Sequence, residues 1–387
     1  MRVEAKQTSV FEVIRWLSSD ACHDLDDADM VSVLGRRLQS LGLPITRLGL
    51  HLRTLHPQIQ ARSIMWSPDE PVQIVDRESI AVTLPEGLTN PFSRVRQLHE
   101  WVVEHSDRAA PLLDWLDVYE GHQVRGFAAA PLAMSHGPAG VAVFATSSAQ
   151  KFTSTAIEVL SDIVPALRGV CEIRLLRRTE ATLLDTYVGR ETGRRVLDGH
   201  IRRGDVETLR AALFLCDLRD FTVLSNQLPP RQMLDRLNLY FDQVVPTVTA
   251  EGGEILKYMG DAVLAFFHRD SGPADSCGAA FAAGCQALSR IDSVSHAGTP
   301  LLAGVALHYG EVAYGNIGSE GRLDFTVIGR DVNLVSRIQT VCATTGRPLL
   351  MSSQFAATLD GQRSRSVGRH LLKGFSEPIE LFTSDSC

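Results

Sequence analysis

The sequence is short of the features that would place it at a membrane, outside a cell or on a nucleic acid. No apolar run approaches the roughly 20 residues that span a bilayer. The opening stretch, Met1 to Gln7, lacks the apolar core of a signal peptide. There is no Cys-x-x-Cys pair, and the seven cysteines are scattered and odd in number. That pattern gives no disulfide framework and predicts reduced thiols in a cytoplasm. Positive charge is not in excess either: the formal net charge of -7 argues against a general nucleic-acid binder. The expectation is a soluble, cytoplasmic protein. Its 387 residues, 44% hydrophobic and 21% charged, suffice for two or three ordinary globular domains.

Two stretches carry chemistry. Ala211 to Leu215 is an apolar run, read as a buried strand, and it stops at Asp217. A tight polar loop, Leu218 to Thr222, follows and leads into a helix. A carboxylate at a strand end, beside loop N–H groups, can hold a divalent cation next to a phosphate. The second stretch, Gly252 to Phe267, reads as two strands joined at the turn pair Gly260-Asp261. If that hairpin lies beside the first strand, Asp217 and Asp261 come together. Two carboxylates held close repel unless cations sit between them. Paired metals about 4 Å apart can bridge the attacking and leaving oxygens of a phosphoryl displacement.

Further on, Leu301 to Leu307 reads as a strand, and Glu311 to Gly318 with Phe325 to Gly329 bracket a loop. Asp331 to Thr345 reads as a helix ended by Gly346. Asn333 and Arg337, four apart, share one of its faces, and Val335, Ile338 and Cys342 share the opposite one. With helices from Pro230 and over Ala274 to Ile291, the element order is that of an α+β, ferredoxin-like βαββαβ core with additions.

Together these segments resemble the class III nucleotidyl cyclase family, the adenylyl and guanylyl cyclases, from about Val206 to the C-terminus. The resemblance implies a palm-type catalytic domain that converts a nucleoside triphosphate to its cyclic monophosphate and pyrophosphate. Asp217 and Asp261 match the family's two metal aspartates, with the Leu218 carbonyl as a further ligand for two Mg²⁺ or Mn²⁺ ions. Backbone N–H groups around Phe221 and Thr222 match its phosphate loop, and Lys373 its late phosphate-binding lysine. Asn333 matches the residue that orients the ribose, and Arg337 the one that stabilises charge on the α-phosphate. Lys257 and Thr326 match the two base-reading positions. Lys257 is a donor only and suits adenine N1, while the Thr326 hydroxyl can accept from N6. The implied substrate is ATP, and the Thr variant resembles a subgroup with many bicarbonate-responsive members. The family loop usually has Gly where this chain has Asp220, a residue that tolerates left-handed backbone. Because the family builds each site from two catalytic domains, one such domain per chain implies a homodimer with shared sites. The alternatives are a degenerate cyclase domain acting as a nucleotide-binding or dimerisation module, a guanylyl cyclase and, less well matched, a diguanylate cyclase.

The first half is less informative. Val10 to Leu17 and Asp27 to Leu41 read as helices, and Leu48 to Arg53 as a half-buried strand. Ile64 to Trp66 and Val72 to Val75 are weak strand candidates, and Phe92 to His105 is expected to be helical. His51 and His56 have no third ligand nearby and are not read as a metal site. Phe127 to Met134 and Val141 to Thr146 read as a hairpin about Ser135–Gly140, feeding a long helix from Thr153 that Pro165 should bend. This layout resembles a GAF domain, a small-molecule sensor, without a motif to support it. The arginine-rich stretch from Arg174 to Arg210 is interleaved with acids and reads as a solvated helical connector. The expected organisation is a regulatory domain over 1–173, a transducing linker over 174–205 and a catalytic domain over 206–387.

Overall fold

The alternating and apolar runs of the first half close into a single antiparallel sheet. The structure, a computed structural model, describes residues 9–78, 91–106, 123–135, 140–296, 299–359 and 364–384. It divides into two units, Met1–Leu183 and Leu184–Cys387. In the first, α1 (Val10–Leu17) starts at a capping box in which Ser9 and Glu12 satisfy each other's backbone N–H. After α2 (Asp20–His23), Asp26 caps α3 (Asp27–Ser40). Strands β1 (Arg47–Arg53), β2 (Ala61–Ser67) and β3 (Glu70–Arg77) follow, then α4 (Pro91–Leu98), β4 (Val102–His105), β5 (Gly126–Leu132) and β6 (Gly140–Thr146). The sheet order is β3-β2-β1-β6-β5-β4.

Two expectations change here. Strand β1 is buried on both faces up to Leu52, not half-buried. One face joins a core with the helices, where Leu34, Leu48, Leu50 and Leu160 meet, and Phe92 of α4 stacks on His51 of the other face at 4.8 Å. The helix expected over Phe92–His105 ends at Leu98, His99 takes φ 54°, and the β-branched pair Val102-Val103 joins β5 as a strand. The turn expected at Ser135–Gly140 falls largely outside the described residues. His51 Nδ1 lies 2.9 Å from Ser63 Oγ, and His56 Nδ1 accepts the N–H groups of Gln58 and Ile59 in a turn.

Helix α5 (Ser154–Val188) continues through Pro165, and its residues from Leu184 belong to the second unit. There α6 (Arg190–Leu197) is followed by β7 (Val206–Leu218), α7 (Phe221–Gln227), α8 (Pro230–Ala250), β8 (Glu254–Met259), β9 (Ala262–Phe267) and α9 (Pro273–Asp292). Two short strands, β10 (Ser295–His296) and β11 (Thr299–Pro300), precede β12 (Ala303–Ser319), β13 (Arg322–Ile328) and α10 (Arg330–Thr345). The chain closes with β14 (Leu349–Ser352), α11 (Ser353–Ala356), β15 (Arg365–His370) and β16 (Ile379–Thr383). The sheet runs β15-β16-β14-β12-β7-β9-β8, with β13 paired to β12. Its β12-β7-β9-β8 section is the ferredoxin-like arrangement, so the fold class is α+β. The two separate strands expected across 301–318 are one continuous strand, β12. Gly310 does not break it; a Cβ there would meet the Asp331 carboxylate at 2.0 Å, so the glycine admits the start of α10. One face of the sheet buries Phe214, Phe267 and Val305 under α8 and α9, and the other buries Leu213 and Leu215 against Leu334 and Ile338 of α10.

Among the described residues five cysteines are free and buried. Cys285 is disulfide-bonded, so the thiols are not reduced throughout, as the scattered spacing had led us to expect. No described helix is long and apolar enough to cross a membrane.

Candidate active site

The antiparallel register of β7 with β9 sets Asp217 opposite Ala262, directly beside the Gly260-Asp261 turn. Gly260 takes φ 68°, which lets the hairpin turn tightly and present Asp261 next to Asp217. Asp217 is half-buried, and its Oδ1 has no hydrogen-bond partner. Burial pushes its pKa up to about 7, and the neighbouring Asp261 carboxyl adds to the shift; the Leu218 N–H and the Arg219 charge oppose it. The carboxyl pair, with the Leu218 carbonyl next to it, is a hard oxygen donor set that fits a divalent cation such as Mg²⁺. Among the described residues no cluster of three or more His, Cys, Asp or Glu side chains forms.

The loop after Asp217 turns through Asp220, which adopts the left-handed conformation at φ 59°, ψ 18°. The first N–H of α7 bonded within the helix is that of Leu224, to the Asp220 carbonyl at 2.9 Å. The N–H groups of Phe221 and Thr222 precede it and are unbonded within the helix.

The base-reading candidates gather on β8 and β13. Thr326 is buried at 6% exposure, and its hydroxyl has no hydrogen-bond partner. Lys257 Nζ lies 2.6 Å from Asp324 Oδ2. Asp324 was not singled out from the sequence. The signal was present: it stands two residues before Thr326 on a strand, hence on the same face. Asn333 is exposed and Arg337 half-buried on α10. The start of that helix is pinned by Asp331, which accepts the Glu311 N–H at 2.7 Å and lies 3.4 Å from His308 Nε2. The hydrogen-bonded partner His308, then the Glu311 N–H, hold the Asp331 carboxyl below its usual range. Lys373 sits exposed in a turn, and no contact ties it to the other candidates among the described residues. Its turn is anchored nearby, however: Leu372 is buried with Leu334 and Ile338, and Arg330 stacks over Phe375 at 5.5 Å.

Some of the connector's charges are paired within it. Arg194 and Arg195 both bind Glu191, and Arg195 also reaches Glu207 at 2.9 Å. Thr192 of α6 donates to Glu254 of β8 at 3.0 Å, and Tyr314 of β12 donates to the same oxygen at 2.8 Å.

Residues 207–383 match the family described as Adenylate and Guanylate cyclase catalytic domain. An adenylate cyclase of Anabaena cylindrica is 30% identical over 193 residues, 47% of this chain and 38% of that protein. Adenylate cyclase 1 of Rhizobium meliloti is 27% identical over 51% of this chain and 30% of its own length. The chain thus spans well under half of these curated relatives. Among solved structures, the adenylyl cyclase CyaB of P. aeruginosa is 29% identical over 46% of this chain and 95% of its own, with a TM-score of 0.41. The guanylyl cyclase Cya2 is 30% identical over 46% and 93%, also with a TM-score of 0.41. Through residues 207–383, the chain belongs to the adenylate and guanylate cyclase catalytic domain family.

Proposed function

We propose that the protein is an adenylate cyclase, converting ATP to 3′,5′-cyclic AMP and pyrophosphate in a homodimer with shared sites. The observation that carries the reading is the Asp217–Asp261 pair, two adjacent carboxyls with a partnerless Asp217 oxygen, which suit a divalent cation better than a folded core. Two bound Mg²⁺ or Mn²⁺ ions would supply activation of the 3′ hydroxyl and neutralisation of phosphate charge. Asp217, Asp261 and the Leu218 carbonyl would hold them. The N–H groups of Phe221 and Thr222 and the ammonium of Lys373 receive phosphate oxygens. Asn333 orients the ribose so that the 3′ oxygen faces the α-phosphorus. Arg337 offers its planar fork to the charge that grows on the α-phosphate as the P–O bond to pyrophosphate breaks.

Lys257 donates to adenine N1, and the buried Thr326 hydroxyl accepts from the N6 amine, which would satisfy the hydroxyl. Guanine presents an N–H at N1, and a lysine donor there would meet another donor. Exposed apolar side chains stand next to the site residues: Val223, Tyr258, Met259 and Ile328. They are the surface a second copy would cover, with Asp217 and Asp261 of one chain facing Lys257, Thr326, Asn333 and Arg337 of the other. The Thr192–Glu254–Tyr314 hydrogen bonds give the connector a grip on β8, three residues from Lys257, and support regulation by the N-terminal unit, read as a GAF-like sensor.

The test is the purified chain with ATP or GTP and Mg²⁺ or Mn²⁺, scored for each cyclic product. Cyclic AMP should dominate by at least about tenfold, the worth of one well-placed hydrogen bond. A larger yield of cyclic GMP would overturn the base assignment, and no product from either would overturn the activity. Mixing Asp261→Ala and Arg337→Ala chains tests the shared sites. Random mixing makes about half the dimers mixed, each with one working site of two, so recovery approaches roughly a quarter of wild type. Verified mixed dimers with no recovery would refute the shared site and leave the metal assignment standing.

A further inference from the structure

Arg219 follows the candidate metal ligands in sequence, yet its guanidinium turns away toward the far end of α10. Its Nη1 donates to the carbonyls of Cys342 and Ala343, each at 3.0 Å, and its Nη2 donates to the Arg347 carbonyl. The Cys342 and Ala343 carbonyls are among the last of α10, which ends at Thr345 with Gly346 in the left-handed cap position, and Arg347 follows directly after the cap. A cation at a helix C-terminus answers both the unbonded carbonyls and the negative end of the dipole. The backbone of the same residue is fixed as well, the Arg219 N–H donating to the Leu302 carbonyl at 2.8 Å.

The surroundings leave little play. Gly304 lies opposite Asp217 in the β7–β12 register. A Cβ on Gly304 would stand 3.0 Å from Arg219 Nη2, 3.1 Å from Cys342 Sγ and 3.2 Å from Gln339 Nε2. Gln339 in turn donates to the Gly304 carbonyl at 3.0 Å. The strand end that carries Asp217 and the last two turns of α10 are therefore packed through one glycine and one arginine. Arg337 lies five residues before Cys342, about 7.5 Å along the helix axis.

We propose that Arg219 is a positioning residue: it clamps the C-terminal turn of α10 to the metal loop and thereby fixes where Asn333 and Arg337 point. The inference rests on the cyclase reading above. In a shared-site dimer its consequence is specific. The clamp joins the carboxylates a chain gives to one site to the Asn333 and Arg337 it gives to the other, and its effect is exerted on the second.

Full-length Arg219→Ala and Arg219→Lys test this. In the Ala variant kcat should fall about tenfold, with the KM for ATP and the Mg²⁺ half-saturation within about twofold of wild type, because Arg337 acts on transition-state charge. The Lys variant, a single point charge without the fork, should recover part of the loss. In the metal-free chain, hydrogen exchange over residues 340–346 should quicken in the Ala variant. An unchanged kcat would overturn the proposal. So would a raised Mg²⁺ half-saturation with kcat restored at saturating metal, since Arg219 would then act through Asp217.

The mixed dimer separates the two routes directly. Added to the Asp261→Ala chain, whose α10 serves the working site, Arg219→Ala should lower the recovered activity about tenfold, as in the homodimer. Added to the Arg337→Ala chain, whose α10 is already disabled, it should leave recovery in place; the reverse pattern overturns the proposal. If the parent mixture recovers nothing, the shared-site reading falls and the kinetic and exchange results still decide on Arg219.

Discussion

Asp27 and Asp217 are both carboxylates drawn into packed surroundings, and the chain treats them in opposite ways. Asp27, at the start of α3, is met by Arg178 at 2.9 Å, Arg174 at 3.1 Å and Arg62 at 3.8 Å. Arg174 also donates to the carbonyls of Cys22 and Leu25. Asp217 has another carboxyl for a neighbour and an oxygen with no partner. A compensated acid ties elements together, here the first helices to α5. An uncompensated one is a cost to the fold that a cation would relieve. Charge compensation, more than burial, separates the structural acid from the one proposed to hold a cation.

The largest effect should come from removing the uncompensated pair. Asp217→Ala or Asp261→Ala should cut turnover by about a thousandfold or more, with circular dichroism and dimer size unchanged, because each removes a cation ligand rather than a packing group. Near-normal turnover in either variant would erase the contrast. Asp27→Ala should do the opposite. It leaves Arg178 without this acceptor, while Arg62 keeps Asp76 and Arg174 keeps the Cys22 and Leu25 carbonyls, and it should destabilise the first unit by about 2–3 kcal/mol, below the ~3–5 of a fully buried pair. Denaturant unfolding measures this, and the KM for ATP should stay within about twofold.

A smaller effect tests the contrast through pH. In the metal-free chain Asp217 is pushed up to about 7 by burial first and by Asp261 second. Between the ordinary carboxylate range and that value, the folded chain keeps a proton that the unfolded chain has lost. This stabilisation is fully present in acid and is lost as pH rises through about 7. The Asn variant of Asp217 cannot ionise, so its thermal midpoint minus that of wild type should grow as pH rises from 5 to 8. Saturating Mg²⁺ should abolish the growth, and a pH-independent difference would show that Asp217 is not held protonated.

How much of this could be read in advance depended on whether the signal was local. The end of an apolar run at Asp217, the Gly260-Asp261 turn, and the shared helical face of Asn333 and Arg337 are properties of short segments, and each element formed where its pattern stood. The Lys257–Asp324 contact is an encounter between two hairpins 67 residues apart; the period of two places Asp324 on the face of Thr326, but the pairing with Lys257 has no local signature. Arg219 was passed over because its partners lie 123 to 128 residues away and are backbone carbonyls, which have no side-chain signature. Strand β1 looked half-buried because Gly49, His51 and Arg53 alternate with leucines; the glycine and a histidine bonded to Ser63 were in fact accommodated inside. The continuity of β12 was hidden by Gly310, whose missing side chain serves α10 rather than a turn.

The smallest expected effect belongs to a third acid, Asp220, which stands between the two extremes: exposed, unpaired, and left-handed at φ 59°. Its side chain makes no cap hydrogen bond to α7. Two terms distinguish its replacements. A left-handed conformation costs most L-residues roughly 1–2 kcal/mol, less for Asp and Asn, and nothing for Gly. A negative charge at the start of a helix stabilises it by about 0.3–1 kcal/mol and repels a phosphate bound to the same N–H groups. Asp220→Gly relieves the backbone, loses the favourable charge and loosens the unfolded chain, so stability should change by less than about 0.5 kcal/mol. The KM for ATP should fall about twofold to fivefold, as expected for one exposed, partly screened charge. Asp220→Asn keeps the backbone tolerance and removes only the charge, so it should give the same fall in KM. Asp220→Ala removes the charge but keeps the backbone penalty; it should match the KM and lose about 1 kcal/mol of stability. If Gly lowers KM and Asn does not, the loop's shape rather than its charge limits phosphate binding. An unchanged KM in all three would place the triphosphate away from this loop.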